Sequence, residues 1–96
     1  MSPDITVRFV GSLRSIVGKS KITLDINKEI TVKELIGLIV KEFPHVKRTL
    51  IDPELEDPRP NALIIVNGRE ISVLNGLETV LKDGDEVVLV PVSHGG

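Results

Sequence analysis

Cysteine, tryptophan and tyrosine are missing from the 96 residues, and Phe9 and Phe43 are the whole aromatic complement. Without cysteine, disulfides, thiolate metal sites and thiol nucleophiles are excluded. Two aromatics offer no platform on which the bases of a nucleic acid would stack. The net charge of −2 removes the basic footprint that phosphate backbones require. No apolar run approaches the roughly 20 residues that a membrane helix needs, and the opening MSPDITV lacks the basic-then-apolar order of a signal peptide. A cytoplasmic protein, with neither nucleic acid nor membrane as partner, is the expectation.

What is present is aliphatic. Apolar residues make up 41% of the chain, most of them Ile, Val and Leu, enough for one core without disulfides. ITVRFV (5–10) alternates with period two, putting Ile5, Val7 and Phe9 on one face of a strand. KITLDI (21–26) alternates again, so GSLRSIVGKS between them reads as the long turn-rich connection of a hairpin. In TVKELIGLIVKEF, Val32, Leu35, Ile36, Ile39, Val40 and Phe43 fall at the spacing of one helical stripe. Thr31 and Glu34 form a capping box at its start, and Pro44 stops it.

A loop follows, HVKRTLIDPELEDPRP, with a turn of helix expected near Val46 to Leu50. ALIIV (62–66) is a strand, and Asn67-Gly68 is a hairpin turn of the I′ type leading into REISV (69–73). A short helical turn is expected around Leu77 to Leu81, a tight turn at Asp83-Gly84, and a last strand, EVVLVPV, over 86–92. The order is β-β-α-β-β-turn-β. It predicts an α+β domain over residues 1–90, a mixed sheet of about five strands with one main helix on one face, followed by a tail at 91–96.

Chemistry of its own is hard to find in this chain. It has no glycine-rich phosphate loop and no Ser/His/Asp set. Asp52, Glu54, Glu56 and Asp57 lie in a loop with no scaffold to converge them, and read as a solvated acidic segment. His45 and His94 have no second ligand at metal spacing, so no metal site is expected.

Two features remain. One helix covers one face of a sheet, yet 62–66 and 87–92 are apolar at nearly every position. Their second face is either packed under loops or open to a partner, and Val88, Val90 and Val92 would belong to it. The other feature is the ending, Ser93-His94-Gly95-Gly96. Glycines add nothing to a fold because ordering them costs the most entropy. Such a tail is either a frayed end or one whose terminal carboxylate is the working group.

The order of elements, together with VRFVGSLRSIVG near the start and NGREISVLNGLETVLKDGDEVVLVPVSHGG at the close, resembles the β-grasp (ubiquitin-like) sulfur carriers. Within them it is similar to the archaeal type of molybdopterin synthase small subunit, with LKDGDEV before the last strand and a terminal Gly-Gly. Leu89-Val90-Pro91-Val92 stands where that subunit usually has aromatics and a double proline, and the ending HGG is similar to the ubiquitin-related modifier.

The resemblance implies a carrier activated at Gly96. An E1-like adenylating enzyme would supply ATP and form an acyl-adenylate there, and a sulfur donor would convert it to a thiocarboxylate. The chain would bind no cofactor itself. Its acceptor would be the molybdopterin synthase large subunit, which makes molybdopterin or tungstopterin. Gly95, His94, Ser93, Val92, Val90 and Val88 would contact these partners, with His94 a recognition residue in preference to a catalytic one. A modifier joined to lysines, or serving tRNA thiolation, is the nearest alternative. Thiamine synthesis is less favoured, because those carriers are usually shorter. A plain β-grasp interaction module is the alternative from another class.

Overall fold

A computed structural model describes residues 3–92. The period-two segments form strands β1 (Asp4–Phe9), β2 (Lys21–Asp25), β4 (Ala62–Val66), β5 (Arg69–Glu70) and β7 (Glu86–Pro91), in the sheet order β2-β1-β7-β4-β5. β7 runs parallel to β1 and antiparallel to β4, and β1 and β2 form the antiparallel hairpin. The sheet is therefore mixed, with its most apolar strand at the centre. A short second ladder pairs β3 (Ile30–Thr31) with β6 (Val80–Leu81).

Helix α2 (Val32–Glu42) begins where the capping box predicts. The Thr31 hydroxyl accepts the Glu34 N–H, and the Glu34 carboxylate accepts the Thr31 N–H. Val32, Leu35, Ile36 and Ile39 are buried against Ile5, Val7, Phe9, Ile64, Val87 and Leu89 of the sheet. Val40 and Phe43 pack at the edge of this core, and the Phe43 ring meets Phe9 edge-on at 6.3 Å. Each fully buried Leu or Ile in such a core contributes about 1.5–3 kcal/mol. After Pro44 the chain makes one 3-10 turn and a single turn of helix, α3 (Lys47–Leu50), in the place expected for it.

Three local expectations are corrected. GSLRSIV is a helix, α1 (Gly11–Val17), within the hairpin connection. Leu13 and Val17, four apart, face the core, and Gly18 closes the helix in the left-handed conformation at φ +82°. Past Glu70 the expected strand becomes a 3-10 turn, Ile71–Val73, because the Glu70 carboxylate accepts both the Ser72 N–H and hydroxyl and pulls the chain round. The helical turn near Leu77 is a 3-10 turn over Gly76–Glu78, and Val80–Leu81 is strand. The hairpin at Asn67-Gly68 has positive φ at both residues, as a I′ turn requires.

The acidic loop is held by its own carboxylates. Asp52 accepts the N–H groups of Glu54 and Leu55, and Asp57 pairs with Arg59 at 2.6 Å. The Arg59 guanidinium hydrogen bond holds the Asp57 carboxyl below its usual range. A depressed carboxylate stabilises the fold above its unfolded pKa and loses that contribution as pH falls through the folded one. Among the described residues, no helix is long and apolar enough to cross a membrane.

Thr31→Ala leaves the Glu34 N–H at the start of α2 without its acceptor, and is expected to lower unfolding free energy by about 1 kcal/mol. Urea titration measures this. An unchanged midpoint would show that the capping box does not hold the helix.

Candidate functional site

Alternation along β7 turns Val87 and Leu89 inward and Val88 and Val90 outward. Register supplies their neighbours. Ile65 lies opposite Val88 and Leu63 opposite Val90, while Val10 continues the outward side of β1 beside them. Val92 extends the same alternation. The outer face thus carries six aliphatic side chains together: Val10, Leu63, Ile65, Val88, Val90 and Val92. Leu63 is 43% exposed, Val10 41% and Val92 36%, while Ile65, Val88 and Val90 are half-buried by one another. Among the described residues Val10, Leu63 and Val92 stay exposed on this side, so an open face is the outcome of the two.

The rest of that face is polar. Arg8 and Glu86 form an ion pair at 2.7 Å beside Thr6, Lys21 and Thr23. The apolar part is therefore confined to the end of the sheet from which the chain leaves β7. Contiguous exposed aliphatics next to charged groups are the pattern of a protein-binding surface.

The root of the tail is fixed by backbone. Pro91 lies opposite Ala62, and the Val92 N–H donates to the Asn61 carbonyl at 2.9 Å. On the other edge the Val10 N–H reaches the Leu89 carbonyl at 3.4 Å. Gly11 sits against Pro91 so closely that a β-carbon would stand 3.2 Å from Pro91 Cγ, and its φ of +58° also favours glycine. Helix α1 thus leans on the end of β7 through a residue without a side chain.

Val88, Val90 and Val92 are brought together as the sequence suggests. Ser93, His94, Gly95 and Gly96 lie outside the described residues. The sequence reading missed Val10, Leu63 and Ile65. Their signal was there: ALIIV is apolar on both faces, and Val10 falls on the opposite parity from Ile5, Val7 and Phe9. Among the described residues no group of His, Asp and Glu is gathered for a metal ion.

Residues 7–96 match the model of the ThiS family. The chain belongs to the ThiS family. It is 29% identical over 93 residues to small archaeal modifier protein 3 of Haloferax volcanii, covering 97% of this chain and 99% of that one. It is 34% identical over 84 residues to an Archaeoglobus fulgidus protein provisionally described as a sulfur carrier, covering 83% and 89% respectively. The solution structure of small archaeal modifier protein 1 from Methanosarcina acetivorans superposes with a TM-score of 0.83 at 26% identity, covering 100% of this chain and 99% of that one. The fold is the ubiquitin-like β-grasp, and this ThiS-family chain stands among its sulfur carriers and modifiers.

Leu63→Asp places a charge in the open face without touching the core. It is expected to weaken binding of a protein partner that docks on this face by about tenfold, with the melting temperature nearly unchanged. Calorimetric titration and a thermal melt measure the pair. A variant that simply unfolds would make this face part of the core.

Proposed function

We propose that this chain carries sulfur on the carboxyl group of Gly96. A carboxylate is a poor electrophile, so the reaction begins on a partner adenylating enzyme, which supplies the ATP site. The terminal carboxylate attacks the α-phosphorus and pyrophosphate leaves. A donor's sulfur, at the oxidation level of sulfide, then attacks the acyl carbon and AMP leaves, giving the thiocarboxylate. Gly95 and Gly96 suit a narrow partner channel because they have no β-carbon. The six residues from Pro91 reach about 20 Å when extended. No cysteine in the sequence competes for the activated acyl group.

The observation that carries this reading is the root of the tail. β7 is paired on both edges, Pro91 abuts Gly11, and the Val92 N–H is bound to Asn61, with the aliphatic face alongside. A partner that docks on Val88, Val90 and Leu63 would receive the tail at a fixed origin. His94 and Ser93 would then be read on the way into its site.

As acceptor we assign the large subunit of a molybdopterin or tungstopterin synthase in the cytoplasm, where this chain would be the sulfur-donating small subunit. The LKDGDEV-to-tail segment supports that assignment. The second reading, a modifier joined through Gly96 to lysines of other proteins or serving tRNA thiolation, is supported by the similarity to small archaeal modifier proteins.

Deleting the gene in its native host and returning either the full chain or one lacking Gly96 tests both. The full chain is expected to restore pterin-dependent enzymes and the shortened chain to fail, although both melt at the same temperature. Rescue by the shortened chain would overturn the activated terminus. Normal pterin enzymes with lost lysine conjugates would replace the first reading by the second.

A further inference from the structure

Two neighbouring concavities lie on the helix side of the molecule, away from the aliphatic sheet face. The larger, about 970 Å³, is lined by Pro44, His45, Lys47, Arg48, Pro53 and Glu56, with Ile51 at its base. The smaller, about 270 Å³, is lined by Ile36, Gly37, Val40, Ile51, Pro58 and Leu77, with Lys33 and Glu56 at its rim. Ile51 and Glu56 belong to both, so the two form one groove with a basic half and an apolar half.

The charges of the basic half are uncommitted. Among the described residues the ion pairs are Arg8 with Glu86 and Arg59 with Asp57, so Lys33, Lys47 and Arg48 have no carboxylate partner. Lys47, Arg48 and His45 face a single carboxylate, Glu56, in a chain whose net charge is −2. Asp52 and Asp57 of the neighbouring acidic loop are engaged within that loop, so the groove lining itself carries more cations than carboxylates.

Gly37 supplies the second observation. It stands in the middle of α2, where glycine destabilises a helix relative to alanine. Nothing in the packing asks for it. A β-carbon there would meet no atom within 4 Å, and its φ is an ordinary helical one. Gly37 lines the apolar half, and a larger side chain there would take up space in it.

We infer that this groove is a docking site for an acidic, leucine-bearing segment of a protein partner. Its carboxylates would pair with Lys47 and Arg48, and an aliphatic side chain would enter the half floored by Gly37. The match of charge selects the occupant. Two cations and a histidine beside an apolar slot suit a short peptide, and the slot has no aromatic side chain on which a base would stack. Because the groove and the sheet face lie on opposite sides, this partner and the one that receives the tail can be bound together. The inference does not depend on the chemistry at Gly96.

The test is a titration of the ¹⁵N-labelled full chain with a capped Asp-Glu-Leu-Asp-Leu peptide, with the same peptide bearing lysine in place of each acid, and with inorganic phosphate. The acidic peptide is expected to give saturable shifts centred on Gly37, His45, Lys47, Arg48 and Ile51, and the lysine peptide none. Lys47→Glu with Arg48→Glu should weaken the acidic peptide at least tenfold. Gly37→Leu should do the same while raising the melting temperature by about 3–6 °C, a rise that a purely structural glycine would not allow. The inference is overturned by shifts confined to the sheet face, by absence of saturation, or by a lowered melting temperature in Gly37→Leu. Phosphate reproducing the peptide's pattern would reduce the groove to a small-anion site and equally overturn it.

Discussion

Everything in this molecule is built around a strand that is apolar on both faces and paired on both edges. β7 uses Val87 and Leu89 to close the core beneath α2, and its backbone to join β1 to β4. Both of its hydrogen-bonding edges are therefore satisfied by the fold itself. What remains for others is the outward row of Val88 and Val90, and the chain beyond Val92. A terminal segment leaving the centre of a sheet starts from the stiffest place available. That supports the proposed use of the end at Gly96.

Much of the fold was legible because the signals were local. The Thr31–Glu34 capping box and the stripe from Val32 to Phe43 fixed α2, and Asn67-Gly68 fixed the β4–β5 turn. Segments with weak or mixed signals were misread. Two glycines made GSLRSIVGKS look like a turn, whereas Leu13 and Val17 find a buried face only when Gly11–Val17 is helical. REISV has strand composition, but the Glu70–Ser72 hydrogen bonds and burial of Ile71 end the strand early. The ladder of Ile30–Thr31 with Val80–Leu81 joins segments about fifty residues apart, and two-residue strands carry no periodicity.

The site was legible in the same uneven way. Parity alone placed Val88, Val90 and Val92 on one side of the last strand. Their neighbours Leu63 and Ile65 come from the antiparallel register with β4, and Val10 from the parallel register with β1. Register depends on which strands meet, so a single sequence does not yield it. The groove around Ile51 was out of reach for a similar reason. Its walls come from α2, the Pro44–Leu50 turns, the acidic loop and Leu77, which only the fold assembles. The acidic residues drew attention in the sequence, yet the structure spends Asp52 and Asp57 on holding their own loop. Opposite that loop, the basic side chains are the ones left unpaired.

The central claim is the proposal that the chain works through the carboxyl carbon of Gly96. The most direct measurement is the intact mass of the protein purified from its native host under conditions that preserve thioacids. The account predicts a population ending at Gly96 in which one terminal oxygen is replaced by sulfur. A chain that always carries further residues beyond Gly96, or a terminus that never bears sulfur and never enters a covalent bond, would contradict it.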